Sequence, residues 1–296
     1  MTPTTPQSLL ISNVFSVKDK VVLISGAGTG MGRAMALALA TNGAKVYITG
    51  RRVEKLDEVV AESKNFEGKI IAIQGDVADL AGVNALFEKM KEVEEHLDIL
   101  INNVGIYRMG GSSMKPNDAA TVQKELLEAK WEDFTDQTSI NVASLYFMTA
   151  TFIPLLQKST SPQVINNTSA MGVSGGASGS LTYSASKAMA INVTKALAGR
   201  LIPLHIRVNS IQTWLYPSEI SGGADGIMKS AFYKPILNRI PAARCGYPEN
   251  LAGVILFLAS KASEYSNGMA MNLDGGWLMG ESNEACLPDK LPFPKA

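Results

Sequence analysis

The sequence lacks several features that mark particular classes of protein. Its charge is balanced, with 27 Lys and Arg residues against 27 Asp and Glu, so no basic excess suggests a broad nucleic-acid or anionic-membrane surface. Only two cysteines occur, Cys245 and Cys286, and they lack the spacing of metal ligands. We therefore expect no metal site, no nucleic-acid partner, and a reducing, cytoplasmic compartment.

Long apolar runs are also missing. No run approaches the ~20 residues that cross a bilayer, so we expect no membrane partner. The first 12 residues are rich in Thr, Pro and Ser and lack the basic start of a signal peptide. We predict a flexible N-terminal tail over residues 1–17. Residues 281–296 carry three prolines and little periodicity, so this C-terminal stretch either is a simple tail or reaches across a subunit interface.

What is present is a regular alternation of β-rich apolar runs with helical patterns. Strands are predicted at 20–25, 45–49, 69–74, 98–102, 163–168, 206–211 and 270–273. Helices are predicted at 31–42, 53–63, 81–95, 131–157, 181–201 and 250–260. The alternation predicts an α/β fold with a doubly wound, Rossmann-type parallel sheet of about seven strands, in a single domain over 18–280. Two long stretches, 107–130 and 213–240, are predicted to be irregular and functional.

A glycine-rich turn follows the first predicted strand. Glycines allow a pyrophosphate to approach the backbone, and the next helix offers free N–H groups at its start. Because the turn opens a βαβ unit, we interpret it as a dinucleotide site rather than as a turn that only packs tightly. The cofactor contacts predicted here are Ser25, Gly26, Gly28, Gly30, Met31 and Gly32.

The second predicted strand ends in two arginines instead of an acidic residue. An acidic side chain would accept hydrogen bonds from a ribose 2′-hydroxyl and repel a 2′-phosphate. Arg51 and Arg52 instead offer forked donors that match phosphate geometry. We therefore predict NADP(H) as the cofactor, with Arg51 as the main contact and Arg52 as the second. The alternative is a pair of solvated loop arginines.

Tyr183 and Lys187 lie four residues apart in a predicted helix, so their side chains share one face. A neighbouring ammonium group favours phenolate. We therefore expect Lys187 to lower the pKa of Tyr183 toward the range of an acid–base catalyst. The same spacing also occurs by chance on surface helices, where such a pair is only solvated.

Together these motifs resemble the short-chain dehydrogenase/reductase family over about residues 18–280. The glycine motif of the family is present with Ser25 in place of Thr, and Asp274 begins the late Asp-Gly-Gly motif. The resemblance implies a catalytic set with Tyr183 as the general acid or base, Ser169 as a donor to the substrate oxygen, Lys187 on the nicotinamide ribose, and Asn141 holding a water beside Lys187. It also implies cofactor contacts at Asp76, Val77, Asn103, Val104, Gly105, Tyr183, Lys187 and Thr213.

The chain departs from the family after the sixth strand. Thr213 and Trp214 stand where the family commonly has Pro-Gly. Trp214 either forms an aromatic wall for a flat or cationic substrate or packs into the lid as structure. The lid is predicted over 213–240, with hinges at its glycines. Substrate contacts are predicted at Tyr107, Met109, Trp214, Met228 and Phe232, with simple packing as the alternative.

These observations predict an NADPH-dependent oxidoreductase that interconverts a ketone and a secondary alcohol on a small to medium apolar metabolite. One alternative is imine reduction or a cyclisation step in natural-product biosynthesis, and another is a catalytically silent NADP-binding regulator. The amino-acid sequence around Arg51 resembles that of fungal reductases of secondary metabolism. The family resemblance also implies a homotetramer or a dimer built on helices 131–157 and 181–201.

Overall fold

The computed structural model describes residues 5–108, 118–174, 180–219, 221 and 233–281. Its seven strands are β1 Val21–Ser25, β2 Lys45–Gly50, β3 Lys69–Gln74, β4 Ile99–Asn102, β5 Gln163–Asn167, β6 Arg207–Thr213 and β7 Ala270–Leu273. Its α-helices are α1 Ile11–Val14, α2 Gly30–Thr41, α3 Val53–Glu62, α4 Leu80–Val93, α5 Ala119–Leu127, α6 Trp131–Thr138, α7 Ser144–Leu156, α8 Leu181–Arg200, α9 Lys234–Leu237, α10 Pro248–Ala259 and α11 Trp277–Glu281.

The strands form one parallel sheet in the order β3-β2-β1-β4-β5-β6-β7. Every residue of β1 and of β4 is buried, because these apolar strands are covered on both faces. One apolar cluster packs α2, α3 and α10 on one face, and a second packs α4, α7 and α8 on the other. The predicted doubly wound, single-domain α/β fold is therefore confirmed.

The strand order reverses between β1 and β4, because β2 and β3 lie on one side of β1 while β4 to β7 lie on the other. In open parallel sheets, ligands bind in the crevice beyond the carboxyl ends of the strands at such a switch point. The loops that follow β1, β4, β5 and β6 meet at this edge and carry the predicted site residues.

One predicted irregular stretch, 107–130, is partly helical. Asp118 accepts hydrogen bonds from the backbone N–H groups of Ala120 and Thr121, which starts α5 with a side-chain cap. The prediction of irregular structure is wrong for this segment. Short helices also occupy Pro6–Leu9 and Ile11–Val14 in the predicted N-terminal tail, where all but one residue of these helices is exposed.

The predicted helix 131–157 is continuous but not uniform. A π-helical segment, Ser139–Ala143, joins α6 to α7. By length and mean hydropathy, 1.5, residues Trp131–Leu156 could cross a membrane, but half of the most apolar window is buried inside the protein. Since α7 packs on α4 and on the sheet, this is the behaviour of a core helix.

Residues 220 and 222–232 of the predicted lid, 213–240, lie outside the described residues, as does the predicted tail 281–296 apart from Glu281. The lid, both tails and the domain limits therefore stay predictions.

Candidate active site

The glycine turn adopts a backbone that side chains would obstruct. Gly26 and Gly30 have φ angles of +66° and +55°, in the left-handed region that favours glycine. A Cβ atom on Gly32 would lie 2.3 Å from the carbonyl oxygen of Gly26. Thr29 caps α2 without a side-chain hydrogen bond, so the first N–H groups of the helix are available to an anion. The turn therefore fits a dinucleotide pyrophosphate.

Asn103 fixes the turn to the end of β4. Its side-chain amide donates to the carbonyl oxygens of Ser25 and Gly26 at 3.1 and 2.9 Å. In return, the Ser25 hydroxyl oxygen accepts a hydrogen bond from the backbone N–H of Asn103 at 3.1 Å. Val104 lies 3.0 Å from the position that a Cβ on Gly26 would take. The structure thus brings these predicted cofactor residues together.

The two arginines at the end of β2 are both exposed. Arg52 forms a two-pronged ion pair with Glu219, with nitrogen–oxygen distances of 3.2 and 2.7 Å. The hydrogen bond from Arg52 lowers the pKa of Glu219. A Cβ on Gly30 would lie 3.4 Å from the Cβ of the neighbouring Ser218. The segment that carries Glu219 therefore passes over the glycine turn, a contact that sequence reasoning missed.

Asp76 and Val77 follow β3 at the same edge. Asp76 is exposed, and its carboxylate accepts a hydrogen bond from the N–H of Ala78 at 3.1 Å. Val77 is buried in the core. Only the side chain of Asp76 is thus open to a ligand, and Val77 contributes packing.

Tyr183 and Lys187 lie on α8, whose start is capped by Ser180. The Lys187 ammonium group lies 5.7 Å from the centre of the Tyr183 ring and donates to the carbonyl oxygen of Asn167 at 3.2 Å. Lys187 is only 5% exposed, and this burial lowers its pKa to about 8. The predicted pairing of the two side chains on one helix face is present.

The expected lowering of the pKa of Tyr183 is not observed. Burial raises the pKa of Tyr183 to about 12, and a hydrogen bond with the Ser169 side chain opposes this rise. The prediction that Lys187 lowers the pKa of Tyr183 is therefore wrong for this structure. The physical reason is that desolvation of the phenolate is the largest influence on this group, while the ammonium group of Lys187 lies 5.7 Å from the ring centre.

Asn141 lies in the π-helical segment and is 1% exposed. Its side chain accepts from the N–H of Ile106 at 2.8 Å and donates to the carbonyl of Ile106 and to the Ser186 hydroxyl, both at 3.0 Å. A Cβ on Gly105 would lie 3.3 Å from Asn141 Oδ1 and 3.4 Å from Lys187 Nζ. Asn141 thus joins the β4 loop to α8 beside Lys187.

Ser169, at the end of β5, is buried. Its hydroxyl donates to the carbonyl oxygen of Thr213 at 3.3 Å and accepts from the N–H of Met171 at 3.2 Å. It also contacts Tyr183, as the hydrogen bond above indicates. All four predicted catalytic side chains therefore converge at the carboxyl edge of the sheet. Among the described residues, no group of three metal-ligating side chains occurs there or elsewhere.

Known proteins resemble this chain over most of its length. A family model described as enoyl-(acyl carrier protein) reductase matches residues 26–278. The chain is 34% identical over 280 residues to the short-chain dehydrogenase/reductase PhomF of Diaporthe leptostromiformis, covering 92% of this chain and 95% of that protein. The chain belongs to the short-chain dehydrogenase/reductase family.

Other relatives of this oxidoreductase family point the same way. The 3-oxoacyl-[acyl-carrier-protein] reductase FabG of Thermotoga maritima is 33% identical over 260 residues, covering 88% of this chain and 98% of that protein. The NADP complex of Pseudomonas aeruginosa RhlG superposes with a TM-score of 0.78 at 27% identity, covering 89% of this chain and 98% of that chain.

Aromatic side chains lie next to Tyr183 in the site. The rings of Tyr107 and Tyr183 meet edge to face, with centroids 5.0 Å apart and planes at 60°. Burial raises the pKa of Tyr107 above its ordinary value. Tyr107 therefore packs directly against Tyr183, and its predicted substrate contact stays a prediction. The other predicted substrate residues Met109, Met228 and Phe232 lie outside the described residues.

Trp214, the departure from the family pattern, stacks on Trp277 of α11. Trp277 is buried, and the two indoles share an apolar cluster with Tyr107 and Tyr183. Of the two readings of Trp214, the structure supports packing, since one face of its ring is already covered. A cavity of about 280 Å³ adjoins it at the ends of β6 and β7, lined among others by Trp214, Tyr216, Arg244, Cys245, Asn272 and Asp274.

Two buried amides of the site were not predicted. Gln137 of α6 accepts from the N–H of Arg108 at 3.0 Å and donates to the Thr182 hydroxyl at 2.6 Å, which ties the Tyr107 loop to α8. Asn167, at the end of β5, contacts groups on four other segments. For Asn167 the sequence signal was an amide at the end of a buried strand, whereas Gln137 lies in a polar helix and carries no such signal.

Proposed function

We propose that this protein is an NADPH-dependent oxidoreductase that interconverts a ketone and a secondary alcohol on a small to medium apolar metabolite. The observation that carries the proposal is the convergence of Tyr183, Ser169, Lys187 and Asn141 beside a glycine turn that fits a dinucleotide. NADP complexes among solved relatives, including one from Agrobacterium tumefaciens at 32% identity and a TM-score of 0.74, support the choice of cofactor.

Bound NADPH would supply hydride to the carbonyl carbon. With a pKa of about 12, Tyr183 carries its proton at neutral pH and donates it to the carbonyl oxygen. The Ser169 hydroxyl, turned from the Thr213 carbonyl oxygen, would donate its one hydrogen bond to the same oxygen and stabilise the charge that develops there. Lys187, with a pKa of about 8, is mostly an ammonium at pH 7 and stabilises the resulting phenolate.

The cofactor would be held by the chain as follows. The glycine turn and the start of α2 take the pyrophosphate, and Arg51 and Arg52 take the 2′-phosphate. The backbone of Asn103, Val104 and Gly105 lies along its path toward Lys187. The aromatic surroundings of Tyr183 favour an apolar substrate.

Similarity to the fungal proteins PhomF and VdtF supports a place in secondary metabolism. We also propose a cytoplasmic homotetramer. Apolar side chains stay exposed along α6, α7 and α8, including Trp131, Phe147 and Met189 at 81%, 39% and 45% exposure. Multi-angle light scattering that gives the mass of one chain would refute this assembly.

Imine reduction or cyclisation is the second candidate, because the Trp214–Trp277 stack alters the wall beside the reacting group. NADPH oxidation measured over matched ketone and imine panels separates the two reactions. Tyr183→Phe is expected to lower kcat for ketones about 10²- to 10⁴-fold while NADPH binding persists. Near-normal turnover in that variant rules out the proton donor, and binding without turnover of any substrate favours a silent regulator.

A further inference from the structure

A chain of hydrogen bonds runs from the end of β6 to the glycine turn. The Thr213 hydroxyl donates to Asn167 Oδ1 at 3.1 Å, and Asn167 Nδ2 donates to Asn103 Oδ1 at 2.9 Å. Asn103 Nδ2 then donates to the carbonyl oxygens of Ser25 and Gly26. Three side chains therefore connect four of the segments that form the carboxyl edge of the sheet.

Asn167, in the middle of these hydrogen bonds, also binds the predicted catalytic residue Lys187. The backbone carbonyl oxygen of Asn167 accepts a hydrogen bond from Lys187 Nζ at 3.2 Å. The carbonyl oxygen of Thr213 accepts one from the Ser169 hydroxyl at 3.3 Å. In both Asn167 and Thr213, the side chain belongs to the hydrogen bonds that lead to the glycine turn. The backbone carbonyl of each accepts a hydrogen bond from a predicted catalytic side chain.

The side chains that form these hydrogen bonds are buried, so their geometry is tightly specified. Asn167 is 6% exposed and Thr213 is 3% exposed. A buried amide oxygen or nitrogen without a partner is destabilising, so neither residue can turn away without leaving a partner unsatisfied. Thr213 stands where the family commonly has proline. Because proline has no side-chain donor, the hydroxyl that satisfies Asn167 belongs to this departure from the family.

We propose that Asn167 and Thr213 form a coupled pair of positioning residues that hold the nicotinamide side of the site in register with the glycine turn. The inference rests on the proposed function, since it concerns how NADPH is held. Its consequence is that the two side chains act as one unit, so that removing either one weakens NADPH binding about as much as removing both.

A double-mutant cycle tests the coupling. Thr213→Val keeps the shape of the side chain and removes the hydroxyl, while Asn167→Leu removes the amide. The dissociation constant of NADPH, measured by cofactor fluorescence without substrate, is expected to rise about tenfold in each single variant, the equivalent of one lost buried hydrogen bond. The double variant is expected to show the same tenfold rise rather than a hundredfold one.

Two controls separate positioning from stability. Thr168→Val removes a hydroxyl that donates to the carbonyl of Ile211 at 3.0 Å, one residue from Asn167 but outside the chain of hydrogen bonds. It is expected to lower Tm while leaving the NADPH dissociation constant unchanged. Thr213→Ser retains the donor and is expected to restore the wild-type constant, which also serves if Asn167→Leu fails to fold.

The measurements distinguish failure of the proposed function from failure of the coupled pair. If the wild-type protein does not bind NADPH, the proposed function is wrong. If the wild type binds NADPH but Thr213→Val binds equally well, or if the two substitutions act additively, the coupled pair is wrong while the function stands. A Thr213→Ser variant that binds as weakly as Thr213→Val likewise overturns the role of the hydroxyl.

Discussion

The indole rings of Trp214 and Trp277 stack with their centroids 3.8 Å apart and their planes 9° apart. The contact joins the end of β6 to α11 at a position where the family commonly has glycine. Trp277→Ala removes the stack and leaves a cavity in a buried cluster, so we expect the free energy of unfolding to fall by about 3–5 kcal/mol. Urea denaturation measures the loss.

The matched control for that substitution is Tyr265→Ala, because Tyr265 is a fully exposed aromatic residue outside the helices that we assign to the assembly. Its unfolding free energy should stay within about 0.5 kcal/mol of wild type. An equal loss in the two variants would contradict a structural role for the stack. We also expect Trp277→Ala to raise KM for ketones, since Trp214 shares its apolar cluster with Tyr183.

Lys187 gives the protein a specific dependence of stability on pH. Its pKa falls from an ordinary 10.5 in the unfolded chain to about 8 in the folded protein. Between these values the unfolded state holds a proton that the folded state has lost, so this group makes stability rise with pH from about 8 to 10.5. Below pH 8 both states are protonated, and the rise is absent.

We therefore expect the unfolding free energy of wild type, minus that of Lys187→Met, to be larger at pH 9.5 than at pH 7.5. Urea denaturation at about these two pH values is the measurement, chosen below the range where Tyr183 titrates. Lys195→Met on the exposed side of the same helix controls for the loss of one lysine. A difference that stays constant or shrinks with pH would show that Lys187 is not desolvated.

Glu219 competes for the guanidinium group that we assign to the 2′-phosphate. The pair is about half exposed, so its own contribution to stability is small. Glu219→Gln removes the charge that holds Arg52 and should lower the dissociation constant of NADPH several-fold without changing that of NADH. Fluorescence titration with both cofactors at low salt tests this expectation.

Glu58→Gln is the matched control, because Glu58 pairs with the neighbouring Lys55 on the same face of α3. An equal gain in NADPH affinity in both variants would indicate a general charge effect rather than release of Arg52. The companion variant Arg51→Ala should lower the ratio of kcat/KM for NADPH to that for NADH, and an unchanged ratio removes Arg51 from the site.

Gln137 holds the loop of Tyr107 against α8. Gln137→Leu removes the amide that donates to the buried Thr182 hydroxyl, so we expect the unfolding free energy to fall by about 1–3 kcal/mol. KM for ketones should rise because Tyr107 loses its fixed contact with Tyr183. The exposed Thr135→Val on the same helix is the control. Loss of stability with an unchanged KM would leave Gln137 a purely structural residue.

The fold could be predicted because the apolar runs and helical patterns repeat along the chain, and this pattern alone specifies parallel βαβ units. Tyr183, Ser169 and Asn141 could be predicted because each follows a recognisable local motif. The Asp118-capped helix was missed within a segment judged only by its length. Boundaries otherwise shifted by one or two residues, as at β1, predicted from residue 20 and observed from Val21.

Other properties depend on contacts between distant segments. Glu219 meets Arg52 across 167 positions of sequence, and Asn167 meets Asn103 across 64. No local pattern signals such partners. The shift in the pKa of Tyr183 was predicted in the wrong direction for the same reason. The charge of Lys187 can be read from the sequence, whereas the desolvation that raises the pKa of Tyr183 arises only when the folded chain packs around it.

The π-helical segment that carries Asn141 has one further consequence, for insertions and deletions. A π turn holds about one residue more than an α turn, and each residue of an α-helix rotates the next by about 100°. Deleting one residue between Ser139 and Ala143 would let the helix close into a uniform α form. Asn141 would then swing away from Ile106, or Trp131 and the rest of α6 would rotate against α8, on which α6 packs. A lost residue here should therefore be more damaging than most single substitutions in the same helix.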